Sequence, residues 1–310
     1  MKLLIGFIAW IIIFLGGAAP VPNSSVKVNF IVPQGQSASQ IVQSLFSEKL
    51  IKSQTTAKIY LKLTGFDQRI IPGSYILSPG QNLPETVTAL TSGPKDIWVT
   101  FPEGWRREQM AARLEKNITG FSSEEFITKT ASLEGTLFPD TYLISPQASV
   151  DDVISMLTTN FVTKTKLDFK LFEDRRILII ASIIERESRS DVERPVISGI
   201  FNNRLGAGWP LELDATVQYA RDTINCQKNK TQCKYWQPLL DTKLPSVFNT
   251  YLHVGLPPTP ICNPGLSSIQ AAKNPEKTSY WFYIHDTSGK VHYAQTNAEH
   301  NLNIDKYLRP

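Results

Sequence analysis

The feature that most constrains this chain is a helix, predicted at residues 180–188, that carries a carboxylic acid on its apolar side. Glu187 lies one turn from Ile183 and Ile184, whereas Glu185 lies about 200° away around the helix. Desolvation at the end of an apolar stripe raises a carboxyl pKa, and an acid that is protonated near neutral pH can donate a proton to a leaving oxygen. The alternative is an ordinary charge at the solvated end of a helix.

The N-terminus contains a second strong signal, an uncharged run at residues 3–21 that is long enough to cross a bilayer as a helix. Only Lys2 precedes it, so the positive-inside tendency predicts a cytoplasmic N-terminus and an external body. The expected location is therefore the cytoplasmic (inner) membrane, with a single pass. A cleaved signal peptide is the alternative, because Gly17–Ala19 resembles a cleavage site, although Pro20 disfavours cleavage.

Composition excludes several classes of protein. The chain has 310 residues, of which 42% are hydrophobic, so two domains with a sizeable core are expected. The net charge of +4 is spread along the chain, and no run of Lys or Arg exceeds two residues, which argues against nucleic acid as a partner. The 4 histidines do not fall in a zinc-ligand spacing, so no metal and no cofactor are expected.

The cysteines predict one disulfide. Cys226 and Cys233 flank a short polar, Lys-rich stretch that is typical of a surface loop, and Cys262 stands apart. Because the body of the chain is expected to be exported, a Cys226–Cys233 bridge is permitted. Three unrelated thiols are the alternative.

Patterning predicts small mixed units rather than one large sheet. The N-terminal segment shows a strand–helix–helix–strand order, with signals at Val26–Val32, Ala38–Leu45, Gln54–Thr64 and Gly73–Leu77. Near the C-terminus, Tyr280–His285 alternates as a strand and Val291–Ala294 is its hairpin partner. On this pattern Trp281 and Tyr283 are interpreted as sheet residues rather than as a sugar platform.

Several sequence blocks follow one another in a distinctive order. They are Pro102–Gly104, Glu134–Tyr142, Glu187–Ser188, Phe201–Leu205, Trp209–Tyr219, Phe248–Tyr251, Gly255–Gly265 and Asn297–Asn301. In this order and spacing the chain resembles the endolytic murein transglycosylases, the YceG-like family, over about residues 27–308. The loop between Tyr219 and Phe248, which holds Cys226 and Cys233, departs from the pattern.

The resemblance implies an α+β fold in four parts. They are a transmembrane anchor at 1–22, a LysM-like glycan-binding module at 27–98, a connecting α+β subdomain at 99–160, and a mostly helical catalytic domain at 161–310 with a lysozyme-like active-site helix. A LysM-like module is also found near the N-terminus of the family, although many small α+β units share its pattern.

The resemblance also implies the chemistry. Family members cut the MurNAc–GlcNAc bond of nascent glycan strands, leave a 1,6-anhydro-MurNAc end and so terminate elongation, with peptidoglycan strands as substrate and peptidoglycan synthases as candidate partners. Glu187 matches the catalytic acid. The residues expected to bind substrate are Ser188, Asn203, Arg204, Asp214, Thr216, Asn249 and Tyr251.

Two other functions stay open at this level. One is a muramidase-type hydrolase that uses Glu187 with Asp214 and water, and the other is a non-catalytic glycan-binding scaffold. Asp214 itself has two compatible interpretations, since it could orient substrate at the cleft or cap the helix predicted at Ala215–Ala220.

Overall fold

The computed structural model describes residues 26–228 and 233–309. The helices are α1 Ala38–Ser47, α2 Gln54–Thr64, α3 Leu83–Ser92, α4 Arg107–Asn117, α5 Ser123–Lys129, α6 Val150–Thr165, α7 Phe172–Glu187, α8 Arg194–Gly206, α9 Asp214–Lys228, α10 Leu266–Lys273 and α11 Asn297–Tyr307. The strands form antiparallel pairs: β1 Val28–Val32 with β2 Gly73–Leu77, β3 Ile97–Thr100 with β4 Thr141–Ile144, and β5 Phe282–His285 with β6 Val291–Ala294. The predicted mixture of helix and strand is confirmed.

The chain divides into two compact units. Among the described residues, the first comprises 26–100, Lys116–Gly120 and Thr141–Ala148, and the second comprises Phe101–Glu115, Phe121–Asp140, 149–228 and 233–309. Each unit has its own hydrophobic core.

The first unit has the predicted strand–helix–helix–strand order. Ser37 begins α1 with a capping box, in which its hydroxyl accepts from the Gln40 backbone and the Gln40 side chain accepts from the Ser37 backbone. Gly65 ends α2 at φ +69°, a left-handed conformation that glycine adopts without steric cost. Phe30 and Tyr75, on the paired strands, are at most 3% exposed and pack into the core of this unit.

The second unit is built around α7. Leu178 and the five residues Ile180–Ile184 are each at most 2% exposed, so this part of the helix is covered by protein on most of its circumference. Helices α8, α9 and α10 pack against it. Glu173 and Asp174 in the first turn and Arg186 in the last turn complement the helix dipole.

The predicted hairpin near the C-terminus is confirmed. Phe282 pairs with Ala294 and His285 pairs with Val291. The turn is fixed by the carboxylate of Asp286, which accepts hydrogen bonds from the backbone N–H groups of Ser288 and Lys290 at 2.9 and 3.0 Å. The hairpin therefore holds the side chains of β5 in a defined register.

The predicted disulfide is also confirmed. Cys226 and Cys233 are bonded, with their Cα atoms 5.0 Å apart. Cys262 is a buried free thiol whose Sγ lies 3.2 Å from the carbonyl oxygen of Ser182 on α7.

A buried arginine anchors α9. Arg106 is 1% exposed, and its guanidinium donates to the carbonyl of Tyr219 at 3.3 Å and to the hydroxyl of Thr223 at 2.7 Å. The guanidinium carbon also lies 4.1 Å from the ring centre of Tyr219 and 5.1 Å from that of Tyr235. Glu108 forms an ion pair with it at 3.1 Å. The middle of α9 is thus held by one cation from a distant part of the sequence.

The predicted location as a single-pass membrane protein is corrected by the structure. Within residues 26–228 and 233–309, no helix is long and apolar enough to span a membrane. The uncharged run 3–21 and the proposed anchor 1–22, on which that prediction depended, lie outside the described residues.

Candidate functional site

The candidate acid, Glu187, is the last residue of α7. The helix ends there because Ser188 adopts an extended conformation, with ψ of 144°, while its N–H still donates to the carbonyl of Ile184. Glu187 is half-buried at the end of the apolar segment. A carboxylate at a helix C-terminus also faces the negative end of the helix dipole, which favours its protonated form.

Two donors hold the carboxyl of Glu187. The phenol of Tyr283 on β5 donates to its Oε2 at 2.8 Å. The backbone N–H of Ala215, in the first turn of α9, donates as well. The acid is therefore positioned by three elements that are far apart in sequence: a helix end, a hairpin and a helix start.

The environment raises the pKa of Glu187. Burial is the main cause, and the negative charge of Asp214 adds to it, while the hydrogen bonds from Tyr283 and Ala215 and the charge of Arg186 act in the opposite direction. The net direction is upward, so the carboxyl retains its proton at a higher pH than an ordinary glutamate. This is the property that a general acid requires.

Asp214 lies at the rim of the same site. It is exposed, and its Oδ1 accepts a hydrogen bond from the phenol of Tyr251 at 2.8 Å. Burial and this bond to Asp214 raise the pKa of Tyr251, which keeps it a donor. The two acids and two tyrosines thus form two donor–acceptor pairs, Tyr283 with Glu187 and Tyr251 with Asp214.

Asn203 and Arg204 were predicted to bind substrate, but their donors are used within the protein. The amide of Asn203 donates to the carbonyls of Thr278 at 2.9 Å and Tyr280 at 3.0 Å. Arg204 is 9% exposed and donates to the carbonyls of Trp281 and Leu211, each at 2.8 Å. Both residues fix the segment that leads into β5, and so the position of Tyr283.

Thr216 and Asn249 also serve the scaffold. Both are fully buried. The Thr216 hydroxyl lies 3.0 Å from that of Thr250, and the Asn249 amide donates to the carbonyls of Thr242 and Leu244 at 2.8 Å. The Asn249 side-chain oxygen accepts from the backbone N–H of Tyr251 at 2.9 Å, so this network sets the loop that presents Tyr251.

Ser188 follows the acid directly, and its hydroxyl oxygen is buried without a hydrogen-bond partner among the described residues. Of the predicted set, the structure therefore brings together Glu187, Asp214 and Tyr251, with Ser188 next to the acid in the chain. The side chains of Asn203, Arg204, Thr216 and Asn249 bond to other parts of the protein.

Tyr283 was missed as a site residue because the strand pattern assigned it only to the sheet. Alternation along β5 defines which face it occupies, but no local signal shows that this face meets the end of α7, 96 positions earlier in the sequence. The Ala215 N–H was missed for a similar reason, since a backbone donor carries no residue signature.

Glu185 has a different role from Glu187. Its Oε2 accepts from the N–H of Gly265 at 2.9 Å and from the hydroxyl of Ser268 at 2.7 Å, and Arg194 lies 3.4 Å from its Oε1. As predicted, Glu185 and Glu187 lie on different faces of α7. The face that carries Glu185 is packed against other parts of the protein. Glu185 therefore joins α7 to the start of α10.

Comparison with known proteins places these features in one family. The model of the YceG-like family matches residues 30–306. The endolytic murein transglycosylase of Bacillus subtilis (strain 168) is 31% identical over 92% of this chain and 86% of its own length. The endolytic murein transglycosylase of Streptococcus pneumoniae (strain ATCC BAA-255 / R6) is 24% identical, and the match covers 92% of this chain and 59% of the relative.

A solved structure agrees with this assignment. The crystal structure of a YceG-like protein from Listeria monocytogenes is similar to this chain with a TM-score of 0.56 and 28% identity, covering 89% of this chain and 99% of that one. The family model, the sequence relatives and the fold give the same answer, and it is the answer that the sequence blocks predicted. The chain belongs to the YceG-like family.

Proposed function

We propose that this chain cuts peptidoglycan glycan strands internally at the MurNAc–GlcNAc bond, with Glu187 as both acid and base. The chain is a lytic transglycosylase, the enzyme class in which its relatives are named. The observation that carries the assignment of the residue is the carboxyl of Glu187, whose pKa is raised and which hydrogen bonds from Tyr283 and Ala215 hold near Asp214.

The first step needs a protonated carboxyl. Glu187 donates its proton to the glycosidic oxygen, the bond from this oxygen to C1 of MurNAc breaks, and positive charge develops on the sugar. The negative charge of Asp214 lies beside the acid and stabilises this charge. Tyr251 keeps Asp214 in place through its hydrogen bond.

The second step regenerates the acid. The C6 hydroxyl of the same MurNAc attacks C1, and its proton passes to the Glu187 carboxylate. An anhydro ring forms, no water is consumed, and the acid is protonated again for the next cut. One carboxyl group is sufficient because the nucleophile belongs to the substrate, whereas a hydrolase activates water with a second group.

A muramidase-type hydrolase is the second candidate, because Asp214 is close enough to Glu187 to influence its pKa. In that mechanism Asp214 would activate water or form the glycosyl intermediate. The hydrogen bond from Tyr251 occupies one oxygen of Asp214, which leaves this carboxylate less free to bind and activate water and favours the single-acid mechanism.

The products distinguish the candidates. After digestion of peptide-free glycan strands, we expect mass spectrometry to show new ends that are one water lighter than reducing ends, and strands of intermediate length early in the reaction. Ordinary reducing ends would indicate hydrolysis, and early release of disaccharides alone would contradict internal cutting. Binding without any cleavage would indicate a scaffold.

We propose the remaining assignments on the same basis. Residues 27–98 form a LysM-like glycan-binding module, supported by the order β1–α1–α2–β2 and a core of its own. Residues 99–160 connect it to a catalytic domain at 161–310, with peptidoglycan synthases as candidate partners. Ser188, Asp214 and Tyr251 contact the substrate, and the other predicted residues position them.

Tyr283 is a positioning residue, and its removal should change the pH profile. Its hydrogen bond lowers the pKa of Glu187, so Tyr283→Phe should raise that pKa further. Because the first step needs the protonated acid, the fall in rate at high pH should move to higher pH. Loss of a bond to a charged group, worth about 1.5–3 kcal/mol, should lower kcat by about 10- to 100-fold.

Rate measurements across pH on peptide-free strands would check this expectation. A purely structural role for Tyr283 would lower stability and leave the pH profile of the remaining activity unchanged. Tyr280→Phe is the matched control, since its ring lies on the same segment and stacks on Tyr293 at 5.0 Å.

A further inference from the structure

The loop before α9 carries an exposed aromatic ring and an exposed carboxylate that the mechanism above does not use. Trp209 is 44% exposed, and its backbone N–H donates to the carbonyl of Arg204 at 2.8 Å. Its ring centre lies 4.8 Å from that of Trp281 and 6.3 Å from that of Phe282. Trp281 and Phe282 therefore pack against the Trp209 ring, and the rest of the ring is exposed to solvent.

This ring lies beside the hairpin that holds the acid. The Trp209 ring contacts Trp281 and Phe282, and Phe282 is followed directly by Tyr283, whose phenol binds Glu187. Arg204 joins the two segments, because it donates to the carbonyls of Trp281 and Leu211, each at 2.8 Å.

The same loop presents Glu212. Its side chain is half-exposed and lies 3.9 Å from Nη1 of Arg204. Its φ of 54° is in the left-handed region, which non-glycine residues adopt at an energetic cost. Two bonds to Thr250 hold the backbone there, one from the N–H of Glu212 at 3.2 Å and one from that of Leu213 at 3.0 Å.

We infer that Trp209 and Glu212 form a saccharide subsite for a sugar ring next to the bond that is cut. One face of a pyranose ring consists of C–H groups, which pack on the electron-rich face of an indole. Its edge carries hydroxyl groups, which donate to a carboxylate. A rigid exposed Trp and a carboxylate three positions later supply both contacts. The identity of the sugar rests on the proposed function.

Binding to an uncleaved ligand tests this subsite. In the Glu187→Gln protein, isothermal titration with a peptide-free oligosaccharide of alternating GlcNAc and MurNAc gives Kd. Adding Trp209→Ala should raise Kd by about ten-fold, and adding Glu212→Gln should raise it by about three-fold. Trp209→Tyr, which retains a ring, should recover most of the affinity.

Phe172→Ala is the matched control. This aromatic residue is 70% exposed and lies at the opposite end of α7, about 22 Å from Glu187 along the helix axis. Its removal should leave Kd unchanged. Should Trp209→Ala fail to fold, Trp209→Leu keeps an apolar side chain without a ring face and should show the same loss.

The outcomes separate this inference from the proposed function. Unchanged Kd in the Trp209 and Glu212 variants, an equal loss in Phe172→Ala, or no binding by the Glu187→Gln protein would each overturn the subsite. Failure of the wild-type protein to produce anhydro ends would overturn the proposed reaction. It would leave the subsite standing if Kd still depended on Trp209 and Glu212.

Discussion

Glu187→Gln should abolish strand cleavage while the protein stays folded and still binds glycan. The amide has the same shape, and its oxygen can accept the hydrogen bond that Tyr283 donates to the carboxyl. It cannot give up and regain a proton, and general acid–base catalysis is typically worth about 10²–10⁴-fold in rate. Since one group performs both proton transfers in the proposed mechanism, the loss should reach the upper end of that range.

The measurement is the initial rate of strand cleavage, together with the melting temperature and Kd of each variant. Glu185→Gln is the matched control, because it makes the same chemical change two residues earlier on α7. It weakens the contacts of Glu185 with Arg194, Gly265 and Ser268 and should cost about 1–3 kcal/mol of stability. At temperatures where it is folded, it should retain cleavage activity.

Two outcomes would contradict the assignment of the acid. In one, Glu187→Gln cleaves at the wild-type rate. In the other, folded Glu185→Gln is inactive while Glu187→Gln is active. Asp214→Asn adds a test of mechanism, since a hydrolase that depends on a second carboxylate would lose activity to a similar extent as in Glu187→Gln.

Local sequence patterns were sufficient to predict much of the fold. The periodicity around Ile183 placed the acid at the end of an apolar helix, and alternation with a Gly-containing turn predicted the β5–β6 hairpin. The short polar segment between Cys226 and Cys233 predicted their bond. Each of these signals lies within one or two elements, where propensity and spacing determine the structure.

The partners of the acid could not be predicted in this way. The contact between Tyr283 and Glu187 depends on how a hairpin packs against a helix, and periodicity does not encode that packing. The same limit applies to Asn203 and Arg204. Their position in a family block predicts a role near the site, but it does not predict that their side chains donate to carbonyls of the protein itself. Helix-face reasoning separated Glu185 from Glu187, but it could not show that the Glu185 side chain is buried as well and pairs with Arg194.

Among the substitutions proposed for this protein, Arg106→Leu should be the most destabilising, although Arg106 does not belong to the site around Glu187. It removes one donor to the buried carbonyl of Tyr219 and the donor to the hydroxyl of Thr223, and it removes the cation that lies near the rings of Tyr219 and Tyr235. Glu108 loses its ion-pair partner as well. Removing one member of a buried charged group typically costs about 3–5 kcal/mol.

The expected loss has a second electrostatic component at Glu134. Burial raises the pKa of this fully enclosed carboxyl to about 8, and the positive charge of Arg106 acts to lower it. A carboxyl whose pKa is higher in the folded state than in the unfolded state loses stability as pH rises from the unfolded value towards the folded value. Arg106→Leu raises the folded value further, so its destabilisation should be larger at pH 8 than at pH 5.

Denaturant unfolding at both pH values would measure this effect through the midpoint, with an unchanged m-value indicating that the folded state is otherwise intact. Arg309→Leu is the matched control, because its ion pair with Asp305 is 76% and 63% exposed and should contribute at most about 1 kcal/mol. Arg106→Lys retains the charge without the planar guanidinium and should lie between the two. Equal midpoints for Arg106→Leu and Arg309→Leu would contradict the role of Arg106 as an anchor. Arg106→Leu should also lower the rate of strand cleavage, because Arg106 holds the helix whose first turn supplies the Ala215 N–H to Glu187.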